Sequence, residues 1–378
     1  MKWKLMDNAI TADQRKKLAN FILTKEKFSQ GKYVKKFEDK WSEWQGCKYS
    51  VFVNSGSSAN FLAVHASQPD HYTSKTNSLW VSQACTWSTT VSPIILSKNN
   101  LQLCDVSIPN LTPDLDCLEY IFKEYKPHNL FLAHLLGFSA ISEELLNLCN
   151  NHNVTLLEDC CEAAGATYKD IKVGNFGKIS TFSFYYGHHM TTIEGGMVCT
   201  DDEQIYEKLL LLRSHGLLRE LPTSNQKKYN KVDDNFTFVT AGFNLRSSEL
   251  NAYLGLLQLE NLDKHNTIRK KNFEIFANNL DSSKYFTEFL IDGNCSFCFP
   301  VIVKDKCRDK IQQKLNDSGI ETRPIIGGNL YEHPFMENQC AEILDKNAQT
   351  VHTNGFYIGN NHNVKQEDVT WLVNILNE

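Results

Sequence analysis

The sequence predicts an α/β fold: a largely parallel sheet between helices, followed by a smaller α+β unit. Three observations predict it. Short apolar runs recur over the first part of the chain and alternate with helical or loop segments, the pattern of a mostly parallel sheet. Polar residues and glycines gather just after these runs, where open α/β sheets bind ligands. Past Asp263 the pattern changes to helix, strands, helix and a terminal helix. The chain is therefore divided into a large unit, 1–262, and a small C-terminal unit, 263–378.

In chain order, the spacing of Leu18, Phe21 and Ile22 predicts an amphipathic helix over 11–27, with Thr11 or Asp13 near its cap. A second helix over 33–44 follows the Gly31 break. The run YSVFV, 49–53, is a short buried strand that leads straight into Asn54-Ser55-Gly56-Ser57-Ser58-Ala59-Asn60 and a helix over 61–65. Free backbone N–H groups and the helix dipole would make this turn a phosphate cradle; a plain capped turn fits the same residues. Further strands are expected over 79–81, 101–106, 129–133, 154–157, 180–183 and 197–200. The polar segment 221–234 reads as a mobile surface loop, and a long helix is expected over 247–262. The C-terminal unit should hold a helix over 266–280, strands within 297–303, a helix over 308–318 and a last helix near Gln366.

Candidate polar residues at the strand ends are Ser55, Ser57, the loop Cys85-Thr86-Trp87-Ser88, Glu158, Asp159, Glu162 and Ser183. The stretch STFSFYYGHHMTTIEGGMVCT, 180–200, carries His188 and His189 on a glycine-preceded loop, which signals proton chemistry or metal binding. A net charge of −5 leaves no basic excess for a general nucleic-acid binder. No apolar run approaches the roughly 18 residues of a membrane span, and the N-terminus lacks an apolar signal core. A cytoplasmic location is expected. The 12 cysteines sit mostly inside apolar runs, as reduced core thiols do. Neither Cys295-x-x-Cys298 nor Cys160-Cys161 has a second ligand pair at zinc spacing, so no metal site is expected.

The segments SGSSAN, ACTWSTT, LLEDCCEAAGA, FSFYYGHHMTTIEGGMVCTDD, LRSHG and AGFNLRSSEL resemble the DegT/DnrJ/EryC1/StrS family of vitamin-B6-dependent sugar aminotransferases over essentially the whole chain. The resemblance implies the aspartate-aminotransferase-like (type I) fold, with an α/β/α large domain. In that family the loop after the strand carries the lysine that binds pyridoxal phosphate (PLP) covalently. Here that position falls on His188, and Lys172, Lys178 and Lys208 lie elsewhere.

The other cofactor positions are filled. By resemblance Gly56, Ser57 and Ser183 hold the phosphate, Asp159 pairs with the pyridine nitrogen, and Trp87 stacks on the ring. Glu162, where aminotransferases have Gln, lies near the ring hydroxyl, and Glu194-Gly195-Gly196 is the tight backbone beneath the ring. Asn244 reaches the phosphate of a partner subunit, which implies a homodimer with shared active sites.

The His-His pair, Ile193 where most relatives have Gly, Glu162, RPIIGGN around Arg323 and NGFYIGNNH resemble one branch of the family. Its members remove the C3 hydroxyl of a GDP-linked 4-keto-6-deoxyhexose in 3,6-dideoxysugar biosynthesis. The implied resting cofactor is pyridoxamine phosphate (PMP), regenerated by glutamate with release of 2-oxoglutarate. His188 is then the base, with His189 the second choice. His215, Arg219 and Arg323 are substrate candidates, and both arginines would equally serve as surface ion pairs.

Three rivals stand beside this reading. One is a nucleotide-sugar 4-aminotransferase. Another is a CDP-hexulose 3-dehydrase with an iron–sulfur cluster; no cysteine occurs over 241–294, so no cluster is expected. The third is a non-catalytic binder of cofactor or nucleotide sugar.

Overall fold

The strands that carry the site are short and buried on both faces, which is why they read as continuous apolar runs. A computed structural model of the protein describes residues 3–7, 10–68, 78–233, 235–340 and 346–378. In it, β1 (Tyr49–Val53), β2 (Leu79–Gln83), β3 (Asn100–Cys104), β4 (Asn129–Ala133) and β5 (Thr155–Asp159) precede a small hairpin, β6 (Thr167–Tyr168) and β7 (Ile171–Lys172). Then come β8 (Ile179–Ser183) and β9 (Gly196–Thr200). The main sheet has seven strands in the order β1-β9-β8-β5-β4-β2-β3, parallel except at β9. This is the expected α/β sheet.

Alternate residues of each strand feed different layers. Val51 and Val53 join a core with helix Gly56–Ser67, whereas Phe52 packs with Phe37, Trp41 and Phe184 on the opposite face. The carboxyl ends of β1, β5 and β8 converge with the start of the antiparallel β9, through the pairs Val53↔Gly196, Ser183↔Gly196 and Asp159↔Thr181. Among the described residues no helix is long and apolar enough to cross a membrane.

Several boundaries move. The helix expected over 61–65 is Gly56–Ser67, because Ser55 caps it, its Oγ accepting from Ser58 N at 3.0 Å. The Gly/Ser run is therefore the helix's first turn. β5 extends to Asp159, so that carboxylate ends the strand. The segment over 221–234 holds a short helix, Thr223–Gln226, and position 234 lies outside the described residues. The helix expected over 247–262 is Glu249–Leu259, and the next, Leu262–Asn279, spans the 262/263 boundary.

The C-terminal unit is built on β10 (Cys298–Ile302), β11 (Thr322–Pro324) and β12 (Gly355–Gly359), antiparallel in the order β10-β12-β11. Residues 3–7 bond here: Trp3 N donates to Gly319 O, and Trp3 Nε1 donates to Gly359 O, both at 2.8 Å, while Met6 packs against Gly187 of the large unit. The buried indole needs a partner for its N–H, and the β12 end supplies it.

Candidate active site

A cavity of about 510 Å³ opens at the convergent strand ends. Gly56, Ser57, Trp87, Asp159, Glu162, Ser183, His188 and Arg323 all line it. Sequence reasoning had placed each of them in one pocket.

One end is the start of helix Gly56–Ser67. Ser58 N is spent on the Ser55 cap and Ala59 N on Ser55 O, which leaves the amides of Gly56 and Ser57 at the open helix end. A Cβ at Gly56 would stand 2.6 Å from Ser183 Cβ and 2.9 Å from its Oγ. Only glycine lets Ser183 close the cradle. A side chain at Gly196 would run into the Ser55 carbonyl and Gly56 N. Gly196 thus braces the helix start.

Asp159 is buried and held from three sides. Its Oδ2 accepts from Asn60 Nδ2 at 2.7 Å and Thr90 Oγ1 at 2.9 Å, and its Oδ1 accepts from Cys161 N at 3.1 Å. Asn60 is fixed in turn by Thr181 Oγ1, which donates to its Oδ1 at 2.6 Å. Beside it, the buried Glu158 accepts from His134 Nε2 and from the amides of Gly174, Phe176 and Gly177. His134, Glu158 and Cys160 come close enough to hold a metal. Each Glu158 oxygen already takes two donors, so the group acts as a brace for β5.

Glu162 is half-buried, and its Oε2 accepts from Leu136 N at 3.0 Å. Desolvation pushes its pKa up to about 7; that amide opposes the rise, Asp159 adds to it, and Arg323 opposes it. A protonated Glu162 can donate to a phenolate-type oxygen.

His188 and His189 part company. His188 lines the cavity, half-buried, its ring centroid 5.4 Å from that of Phe297 and its Nδ1 without a hydrogen-bond partner. Desolvation lowers its pKa to about 4, with Arg269 next in effect. His189 is buried away from the cavity, its Nε2 3.2 Å from Cys295 Sγ. The loop between them and β9 carries Ile193 at φ 75, a region a β-branched residue rarely adopts; Ile193 N donates to Thr191 Oγ1 at 2.8 Å.

Trp87 is 46% exposed, and the Arg323 guanidinium lies 5.5 Å from its ring centre. The other three candidates fall outside this chain's cavity. Asn244 is exposed, its Oδ1 accepting from Arg246 Nε at 3.1 Å. His215, at φ 63, sits 3.4 Å from Arg246 and donates its backbone N–H to Phe243 O. Arg219 is exposed, packs over Phe236 and donates to Asn235 O. Sequence reasoning missed Asn60 and Thr90, although both lie in quoted motifs, and also Tyr357, Arg269 and the segment Leu5–Asp7, all of which line the cavity.

The DegT/DnrJ/EryC1/StrS aminotransferase family profile matches residues 9–377. The chain belongs to that family. Two relatives of the same name, GDP-4-keto-6-deoxy-D-mannose 3-dehydratase, are from Escherichia coli O55:H7 and Yersinia pseudotuberculosis. The first is 31% identical over 96% of this chain and 97% of its own. The second is 33% identical over 94% and 93%. A crystal structure of GDP-4-keto-6-deoxymannose-3-dehydratase with a trapped PLP-glutamate geminal diamine superposes with a TM-score of 0.92 at 30% identity, covering 99% of this chain and all (100%) of that one. The expected aminotransferase-type fold is thereby in place.

The residues present fit PLP. The open helix end and Ser183 suit its phosphate, and Asp159 suits its pyridinium. When bound, that cofactor supplies an electron sink conjugated to its exocyclic substituent.

Proposed function

We propose that this family member is a PLP/PMP-dependent 3-dehydratase of a nucleotide-linked 4-keto-6-deoxyhexose, GDP-4-keto-6-deoxy-D-mannose in particular, working in the cytoplasm with glutamate as amino donor. The observation that carries the reading is His188: the cavity lined by Gly56, Ser57, Asp159 and Ser183 holds an imidazole at the position where the family resemblance implies a lysine. The printed activities of the full-length relatives support the same substrate, and the glutamate adduct in the neighbouring structure supports the donor.

Imidazole cannot hold the cofactor covalently, so affinity rests on the helix end, Ser57, Ser183 and Asp159. His188 is left to move protons, taking one at C4′ and delivering it to the C3 hydroxyl as that group leaves. Asp159 stabilises positive charge on the ring nitrogen. In net balance the sugar loses one oxygen, which reappears as the keto oxygen of 2-oxoglutarate, and nitrogen leaves as ammonia. Glutamate supplies the two electrons. Asn244, outside its own cavity, serves the site of a partner subunit in a homodimer.

The test is incubation with PLP, glutamate and a panel of 4-keto-6-deoxy nucleotide sugars, followed by mass spectrometry. Loss of one oxygen with ammonia release is the expected result. A product that keeps its oxygen and gains nitrogen would make the protein an aminotransferase. Borohydride should leave the cofactor removable, and a covalent cofactor–protein adduct would refute the role of His188.

A further inference from the structure

Arg269 projects from helix Leu262–Asn279 and is only 5% exposed, yet it lines the cavity. A buried guanidinium normally has a carboxylate. Arg269 has none among the described residues: Nη1 donates to the carbonyls of Phe297 (3.2 Å) and Asn360, and Nε has no partner. An uncompensated buried cation costs several kcal/mol. Those two carbonyls fix the guanidinium, and Asn360 is itself fixed, its Nδ2 donating to Arg269 O and to Ser296 Oγ, each at 2.9 Å. A rigid, desolvated, unpaired fork at a cavity wall is built for an anion that arrives with a ligand.

We propose that Arg269 is the subsite for a carboxylate of the amino donor, an inference that rests on the glutamate-dependent reaction above. The cofactor phosphate already has the helix end. The half-buried Arg323, stacked on the exposed Trp87, is the better placed cation for a bulky diphosphate near the mouth. Arg269 backs onto Phe297, against which His188 packs, and so stands at the proton-transfer end of the cavity.

The test uses holoenzyme carrying Arg269→Met, which keeps bulk and removes charge, and Arg269→Lys. Three affinities are read: glutamate in the single-turnover conversion of the PLP form, 2-oxoglutarate on the PMP form by calorimetry, and GDP by calorimetry. In R269M the glutamate and 2-oxoglutarate constants should weaken about 100-fold, and R269K should recover at least about tenfold of that. GDP affinity should stay within about threefold of wild type. An equal loss of GDP affinity would assign Arg269 to the diphosphate and overturn the proposal. Unchanged dicarboxylate affinity with a lower melting temperature would make the residue structural and do the same. If wild type aminates the sugar, the dehydratase reading fails while the carboxylate subsite still stands or falls on the calorimetry.

Discussion

An imidazole at position 188 is useful as a base only while it is neutral, and the cavity enforces that. With its pKa lowered to about 4, first by desolvation and then by Arg269, His188 is unprotonated across the neutral range. The acid limb of activity should therefore lie well below the ordinary histidine value. His188→Gln should bind PLP as tightly as wild type, because no covalent bond is lost, and turn over about 10²–10⁴-fold more slowly. Absorbance titration and a single-turnover assay separate the two effects. Glu162 sets the opposite limb. Its pKa is raised to about 7, so it is a hydrogen-bond donor below that pH and a carboxylate above it. Activity should fall as pH rises through about 7, and Glu162→Gln, a donor at every pH, should flatten that limb in a pH–rate profile. A basic limb unchanged in E162Q would place the titration elsewhere.

At the scale of elements, the cradle depends on two backbone approaches, helix Gly56–Ser67 against β8 and β9 against the helix start. Gly56→Ala would push a methyl into Ser183 and weaken PLP binding by about tenfold or more, read by titrating apoenzyme. Ser55→Ala removes a cap and should cost about 1 kcal/mol in chemical denaturation. Local signals of this kind made the site legible in the sequence. Gly56, Ser57, Asp159, Glu162 and Ser183 each sit within a residue or a turn of a strand end, and strand ends show as apolar runs closed by polar residues. The placement of Gly196 under the helix, and the pairing of Asn60 and Thr90 with Asp159, are contacts between segments roughly a hundred residues or more apart, or across two helices. No local pattern encodes them. Arg269 was hidden for the same reason: in IRKKN it looks like one more surface cation, and only tertiary packing buries it. The bonds of segment 3–7 to the C-terminal unit were hidden because their partner strand, β12, lies at the other end of the chain.

For the whole molecule, burial of neutral histidines ties stability to pH. His65, His188, His189, His265 and His362 all have pKa values below the ordinary 6.5, with desolvation the leading cause each time. The unfolded chain binds these protons more readily, so their contribution is intact above about 6.5 and is lost as pH falls below it, down to about 4 for His188 and His265. Glu162, raised, works the other way and loses its contribution as pH rises through about 7. Five groups outweigh one, and the melting temperature should drop between pH about 7 and about 5, with His189→Phe reducing the slope. The assembly makes a separate prediction. Asn244 is exposed and lies outside the cavity of its own chain, whereas the family resemblance implies a contact with a cofactor phosphate. If it serves a partner, H188Q and Asn244→Ala subunits, each inactive alone, will complement. A mixed dimer puts both defects in one site and leaves the other intact, so an equal, fully exchanged mixture should recover roughly a quarter of wild-type activity. Recovery depends on exchange, which a tagged pull-down of mixed dimers verifies before the assay. Mixed dimers without activity would mean that Asn244 does not act across the interface.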